Sequence, residues 1–348
     1  MRRFDYSFLK DGKVPVSLIS SISAIYSLKT LSDIRHEDHA RLFSELEKIA
    51  KVQSVKSSNA IEGIVSSDER IKSIVNQSTA PLNHDEQEIA GYCDALSEIH
   101  LNHQTLSFSE ETILRLHSMM LAPTGMEYGG RYKTEDNAII EIDSAGNRRV
   151  RFAPISAVET ADAMKQLCLA YYAARDDAGV NQLLLIPCVI LDFLCIHPFR
   201  DGNGRMSRLL TLLLLYKNGF NIVKYISFEE QINLHKAYYY EALKRSSELW
   251  HENQNDYSPF IQNFLFTLYM CYKELDKRFA VVGDSKFTKS NRVEAAVLDS
   301  LTPLSKHDLQ LILPDVSAKT IENVLAKLQK EGRITKIGST RNAKYVRV

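Results

Sequence analysis

The sequence predicts a mostly α-helical protein, a helical bundle carrying one β-hairpin and followed by a C-terminal winged helix-turn-helix domain. Three observations predict it. Apolar residues three and four apart recur through most of the chain before the polar stretch at 281–291; the segment 128–156 breaks that pattern; and the residues after the stretch read as three short helices closed by two strands. With 348 residues, 45% of them hydrophobic and 25% charged, the chain has material for about two or three domains and a sizeable core.

The first clear amphipathic helix is 37–58, "EDHARLFSELEKIAKVQSVKSS". The pattern repeats at 85–102 and at 107–121, where Ser107 and Glu110 have the spacing of a capping box, and again at 156–175. Segment 128–156 holds Gly129-Gly130, the β-branched Ile139, Ile140 and Ile142, and the turn signal "DSAGN", so 137–142 pairs with 148–153 as a hairpin. The stretch 183–196 is apolar almost all round and suits a buried helix that ends near His197-Pro198, because proline disfavours helical geometry in the residue before it. Leu209–Tyr216 reads as a second buried helix stopped by Asn218-Gly219.

Between these two apolar runs lies "HPFRDGNGRMSR", residues 197–208. A glycine-bearing turn feeding a helix N-terminus is an anion site, since the first-turn N–H groups lack intrahelical partners. Gly202 and Gly204 permit positive φ and close approach, and Arg205 and Arg208 share a helix face above the turn. Asp201 is a hard oxygen ligand suited to Mg²⁺ on phosphates, and His197 stands where an imidazole could accept a proton from an attacking hydroxyl. The third glycine of a dinucleotide fingerprint is missing, and no GxxxxGK(S/T) occurs.

The chain carries equal numbers of acidic and basic residues, so no global charge bias points to nucleic acid or membrane. Five scattered cysteines without a CxxC pair suggest neither zinc nor a disulfide framework, the start lacks an apolar signal core, and no apolar run reaches the ~20 residues of a membrane span. Together these place the protein in the cytoplasm, without a membrane partner. Residues 285–348 differ, with twelve Lys/Arg against six Asp/Glu. In 317–330, Ile321, Val324, Leu325 and Leu328 form a buried stripe that leaves Lys319, Thr320, Asn323, Lys327 and Lys330 outward, as a groove-reading helix requires. Either DNA binding or a bland dimerisation or target-presenting module fits that pattern.

Residues 197–208 resemble the signature of the Fic family, HPFx(D/E)GNGRxxR, at every defined position, and the resemblance extends over roughly 107–275. It implies a Fic-type helical bundle that transfers AMP from ATP to a Ser, Thr or Tyr hydroxyl of a protein, with Mg²⁺ as cofactor. In that reading His197 is the general base, Asp201 holds the metal, and Asn203 with the Gly202 and Gly204 backbone holds phosphates. Arg205 and Arg208 bind the β- and γ-phosphates, and Phe199 is a core anchor. The hairpin would be the flap whose edge, at Ile139 and Ile140, takes a target segment as an added strand. Tyr240, after Tyr239, would line the adenine pocket, although Ser246-Ser247 stand where some relatives carry an asparagine. "SSNAIEGI" (57–64) resembles the family's inhibitory motif (S/T)xxxE(G/N), which implies that Ser58 and Glu62 restrain Arg208.

The implied organisation is 1–106 with the inhibitory motif, 107–280 as catalytic core with its flap at 128–153, and 285–348 as winged helix. The competing reading is a DNA-binding regulator whose nucleotide site only senses ligand; an intact His197 favours catalysis, because sensing needs no base. The sequence leaves homo-oligomerisation open.

Overall fold

The structure is a computed structural model that describes residues 2–11, 15–142, 148–283, 289–298, 300, 303–313, 316–338 and 343–347. In chain order the helices are α1 (Phe8–Asp11), α2 (Val16–Asp38), α3 (Ala40–Ile61), α4 (Asp68–Val75), α5 (His84–Asn102) and α6 (Glu110–Leu121). A hairpin of β1 (Ile139–Ile142) and β2 (Arg148–Phe152) follows, then α7 (Ala157–Arg175), α8 (Gln182–Ile196), α9 (Asn203–Lys217), α10 (Ile222–Tyr225), α11 (Phe228–Leu234), α12 (Lys236–Ser246) and α13 (Ser258–Gly283). The chain closes with α14 (Lys289–Leu298), β3 (Leu304–Ser305), α15 (Lys306–Ile312), α16 (Ala318–Lys330), β4 (Ile334–Ile337) and β5 (Lys344–Arg347). No helix among the described residues is long and apolar enough to cross a membrane.

The bundle is organised around α8, whose residues 183–196 are all buried. Pro187 sits inside that helix, and the chain runs through it because packing on every side outweighs one lost hydrogen bond. Buried at its centre is Asp192, which accepts from Tyr6 Oη at 2.7 Å and Trp250 Nε1 at 2.6 Å and pairs with Arg2 at 3.3 Å. This network seats the N-terminal segment on the core.

Several boundaries differ from the sequence expectation. The cap of α6 is Ser109, whose hydroxyl accepts from Thr112 N–H; the spacing of Ser107 and Glu110 is coincidental, and Ser107 bonds Ser109 instead. α9 begins six residues before Leu209, at Asn203. α2 and α13 are additions to the expected helices. The apolar residues of α2 are spread round the helix and give no one-sided stripe, whereas α13 buries Ile261, Phe264, Leu265, Leu268, Cys271 and Leu275 at plain helical spacing. The last turn of α13 also occupies the start of the expected linker at 281–291.

The hairpin is antiparallel, with a register shift between Ile139 and Ile140. Its expected turn, "DSAGN", lies outside the described residues, and so does most of "STRNA" between the last two strands. After residue 288, α14, α15 and α16 pack on a core of their own that includes Val293, Leu309, Ile321, Leu325 and Tyr345. An antiparallel sheet of order β3-β5-β4 closes it; the two-residue β3 was not legible in the sequence.

Candidate active site

α8 ends at His197, which takes the left-handed conformation (φ 52°, ψ 60°) and whose N–H still reaches Phe193 C=O. Such a turn at a non-glycine residue is uncommon and needs support from its surroundings. The support comes from the segment before the hairpin. The buried Lys133 donates from its backbone N–H to Pro198 C=O (2.9 Å) and from Nζ to Ile196 C=O (3.2 Å) and Asn137 Oδ1 (2.8 Å). Asn137 Nδ2 donates to the carbonyls of His197 (3.3 Å) and Phe199 (3.1 Å).

The loop then turns on Phe199, fully buried and stacked on the ring of His117 at 3.7 Å. His117 Nδ1 accepts from Gly130 N–H (3.0 Å), so its Nε2–H donates to Asp201 C=O (3.1 Å). Burial lowers the His117 pKa to about 4. Gly202, at φ 80°, is the N-cap of α9, and the first helical bond runs from Met206 N–H to Gly202 C=O. The N–H groups of residues 203–205 therefore stand ahead of the intrahelical ladder.

Three expected site residues occupy other places. The Asn203 side chain is spent on the loop itself, accepting from Phe199 N–H (2.9 Å) and donating to Phe199 C=O (2.8 Å), so only its backbone N–H is left for an anion. Arg205 is buried against α5, with Nη1 2.5 Å from Glu88 Oε2, outside hydrogen-bond alignment, and Nη2 3.3 Å from Asp201 Oδ2. Asp201 is half exposed. Neither it nor Arg205 lines the cavity described next. Sharing a helix face with Arg208 does not bring Arg205 there, because Glu88 holds it toward α5.

That cavity, of about 270 Å³, brings together Glu62, Ile139, His197, Gly204, Arg208 and Tyr240, with Arg151, Leu194, Tyr239 and Ser247 among its other walls. His197 Nδ1 lies 3.2 Å from Leu194 C=O, so Nδ1 carries the proton and Nε2 keeps a lone pair. Burial lowers the His197 pKa to about 4, so the ring is neutral at neutral pH. Tyr240 is 41% exposed, whereas Tyr239 is buried. Ser246 Oγ accepts from Phe260 N–H, which leaves Ser247 as the member of the serine pair at the cavity wall. Ile140 alternates outward and is exposed, while Ile139 packs against the core.

Glu62 caps the C-terminus of α3. Gly63 (φ 86°) and Ile64 close a Schellman turn, with N–H bonds to the carbonyls of Ala60 and Asn59. That turn projects the carboxylate over α9, close enough to Gly204 that a methyl group there would collide with Oε1. Arg208 donates from Nη2 to Glu62 Oε1 (2.8 Å) and Ser58 C=O (2.9 Å), and from Nε to Ser58 Oγ (2.8 Å). α3 is itself pinned, by Ser54 Oγ on the buried Glu229 (2.8 Å) and by Lys236 Nζ on Ile61 C=O (2.7 Å). Lys133, Asn137, His117 and Glu88 went unread in the sequence, since each acts on a neighbour distant in the chain and stands in no motif.

Fold and site define a class: a helical protein in which a loop between two buried helices leads into a helix N-terminus, faced by a neutral histidine and approached by a carboxylate of the chain's own. Residues 107–215 match the Fic/DOC family model. The chain is 27% identical over 222 residues to "Protein adenylyltransferase Fic" of Nematostella vectensis, covering 62% of this chain and 46% of that protein. It is 35% identical over 81 residues to a Fido domain-containing protein of Dictyostelium discoideum, covering 23% of this chain and 52% of that protein. The chain thus spans about half the length of the curated relatives it matches. Its fold is shared with a Fic family protein from Desulfovibrio desulfuricans G20 (TM-score 0.63, 18% identity, 97% of both chains). A Fic domain containing signaling protein from Bacteroides thetaiotaomicron VPI-5482 is also similar (TM-score 0.57, 21% identity, 74% of this chain and 95% of that one).

Proposed function

We propose that the chain is a protein adenylyltransferase restrained by its own Glu62. The observation that carries this reading is the placement of His197, with Nε2 unprotonated, on the same cavity as Gly204 and Arg208. ATP would lay its terminal phosphates toward the α9 N-terminus and Arg208, and its base between Tyr240 and the hairpin. A target hydroxyl oxygen attacks the α-phosphorus while its proton passes to His197 Nε2. The bond from the α-phosphorus to the bridging oxygen breaks, and pyrophosphate leaves.

The donor set fits Mg²⁺ at one point only. Among the described residues no group of three or more His, Cys, Asp or Glu could hold a metal, but a magnesium ion on phosphates needs only one or two carboxylates, and Asp201 offers a half-exposed one. When bound, the ion neutralises charge on the phosphates. Arg205 would serve them after leaving Asp201. The target would pair with the hairpin near Ile139 and Ile140 as an added strand, since β1 has one strand neighbour among the described residues.

In this reading 1–106 carries the restraint, 107–280 the chemistry and 285–348 a winged helix, and the buried, unbridged cysteines suit the cytoplasm. The second reading, a DNA-binding regulator, draws on α16, where Lys319, Asn323, Lys327 and Lys330 face outward. Ion pairs of Lys306 with Glu322 and of Arg333 with Glu294 weaken that basic face. The test is incubation with α-labelled and, separately, γ-labelled ATP. Adenylyl transfer labels protein from the α position alone and is lost in His197→Ala; label from the γ position would mean a kinase-like reaction. A salt-sensitive DNA shift without labelling would favour the regulator.

A further inference from the structure

Four consecutive carbonyls, those of Ile196, His197, Pro198 and Phe199, all receive hydrogen bonds from Lys133 and Asn137. These two residues belong to the stretch that runs, within two further residues, into β1. We propose that Lys133 and Asn137 are positioning residues for His197, holding it in its left-handed turn and fastening it to the base of the hairpin. What the base does rests on the adenylyl-transfer reading; the clamp itself does not.

The physical case has three parts. A left-handed turn at a residue with a Cβ is not self-sustaining, and this one falls at a helix end whose last carbonyls have no intrahelical donors. Lys133 places a buried ammonium at the C-terminus of α8, where the helix dipole favours positive charge. Asn137 bridges the carbonyls on either side of Pro198, so the direction of the imidazole depends on where the hairpin stem lies. Strand addition at the hairpin would then bear directly on the base, which links target docking to proton transfer.

The experiment has two readouts on the full chain. The first is an NMR titration of the His197 ring, assigned with His197→Ala, in wild type, Asn137→Ala and Lys133→Met. The charged groups facing that ring are Lys133, Glu62 and Arg151. In wild type the ring should titrate at about 4; in Asn137→Ala the loosened loop should admit water and move the midpoint up toward the ordinary histidine value. The second readout is kinetic, in the Glu62→Gly background. Asn137→Ala lowers kcat by ~10²-fold, the scale of a misplacement of about 1 Å, while the KM for ATP stays within about twofold. Lys133→Met, which also tests a variant that keeps the backbone bond to Pro198, follows the same split. A midpoint unchanged in both variants overturns the clamp whether or not the protein labels targets. A raised KM with kcat intact also overturns it, by making these residues part of the nucleotide site. Absence of labelling in the parent removes the catalytic reading and leaves the titration to decide the clamp.

Discussion

Glu62 Oε1 lies 2.8 Å from Arg208 Nη2, and Ser58 takes two further hydrogen bonds from the same guanidinium, so the end of α3 and its cap supply every partner of that guanidinium among the described residues. Burial works against the Arg208 charge, and Glu62 together with Tyr239 and Tyr92 more than offsets it. A carboxylate and a phosphate cannot both occupy that place above Gly204. The pairing gives a buried arginine its counter-charge, and under the proposed reading it would also keep a phosphate away.

Glu62→Gly should therefore raise AMP transfer by at least ~10-fold, within the usual range of coupling energies. The same change leaves Arg208 with Ser58 alone and lowers stability by about 1–3 kcal/mol. ATP should restore that stability, since it binds only the folded site. Labelling with α-labelled ATP and melting with and without ATP check both arms. Equal or weaker labelling by a folded Glu62→Gly protein would sink the restraint.

The pH dependence follows from the buried histidines. His100 is lowered to about 3, and His117 and His197 to about 4, each chiefly by burial. Their folded values lie below the unfolded value of ~6.5. Their contribution to stability is thus present above that value and is lost as pH falls toward 4, because the unfolded chain binds more protons in between. Asp192, pushed up by burial, acts with the opposite sign at the acid end. Urea midpoints should fall between pH 7 and pH 5, and less steeply in His117→Gln. Transfer activity, by contrast, should hold down to about pH 5, because His197 is already neutral there.

The central loop was legible because a histidine, an acid, two glycines and two arginines interrupt apolar runs that can only be buried. Its depth was less so. Asn203 reads as a ligand in a motif, yet its amide closes on Phe199, four residues back. Arg205 reads as a twin of Arg208, but Glu88, more than a hundred positions away, holds it elsewhere. Glu62 was legible through its spacing from Ser58; the geometry that aims it, a Schellman turn at Gly63, needed the folded chain. Tertiary partners leave no periodic trace, and α2 shows the same limit, since a helix apolar on several faces gives no stripe to read.

Tyr240 and Tyr239 should separate on substitution. Tyr240 faces the cavity and is partly exposed, so Tyr240→Ala should raise the KM for ATP by ~5–100-fold, the value of stacking one base, and Tyr240→Phe should leave it nearly unchanged. Tyr239 is buried against Phe260, so Tyr239→Ala should mainly lower the melting temperature. Steady-state kinetics with varied ATP distinguishes the two.

Asp192 should matter for folding rather than chemistry, though it lies on the helix that carries His197. It is fully buried, and its carboxylate is met by Tyr6, Trp250, Tyr257 and Arg2. Arg2 in turn donates to Trp250 C=O at 2.8 Å. Removing Arg2 leaves a charge in the core with only neutral donors, so Arg2→Met should cost about 3–5 kcal/mol. Asp192→Asn strands Arg2 in the same way. The double variant should lose less than the sum of the two, because each single change already breaks the same pair. Urea unfolding of the four proteins measures that coupling; additive losses would mean that the N-terminal segment is held by packing alone. In the fraction still folded, ATP affinity should be unchanged, since none of Arg2, Tyr6, Asp192, Trp250 and Tyr257 lines the cavity.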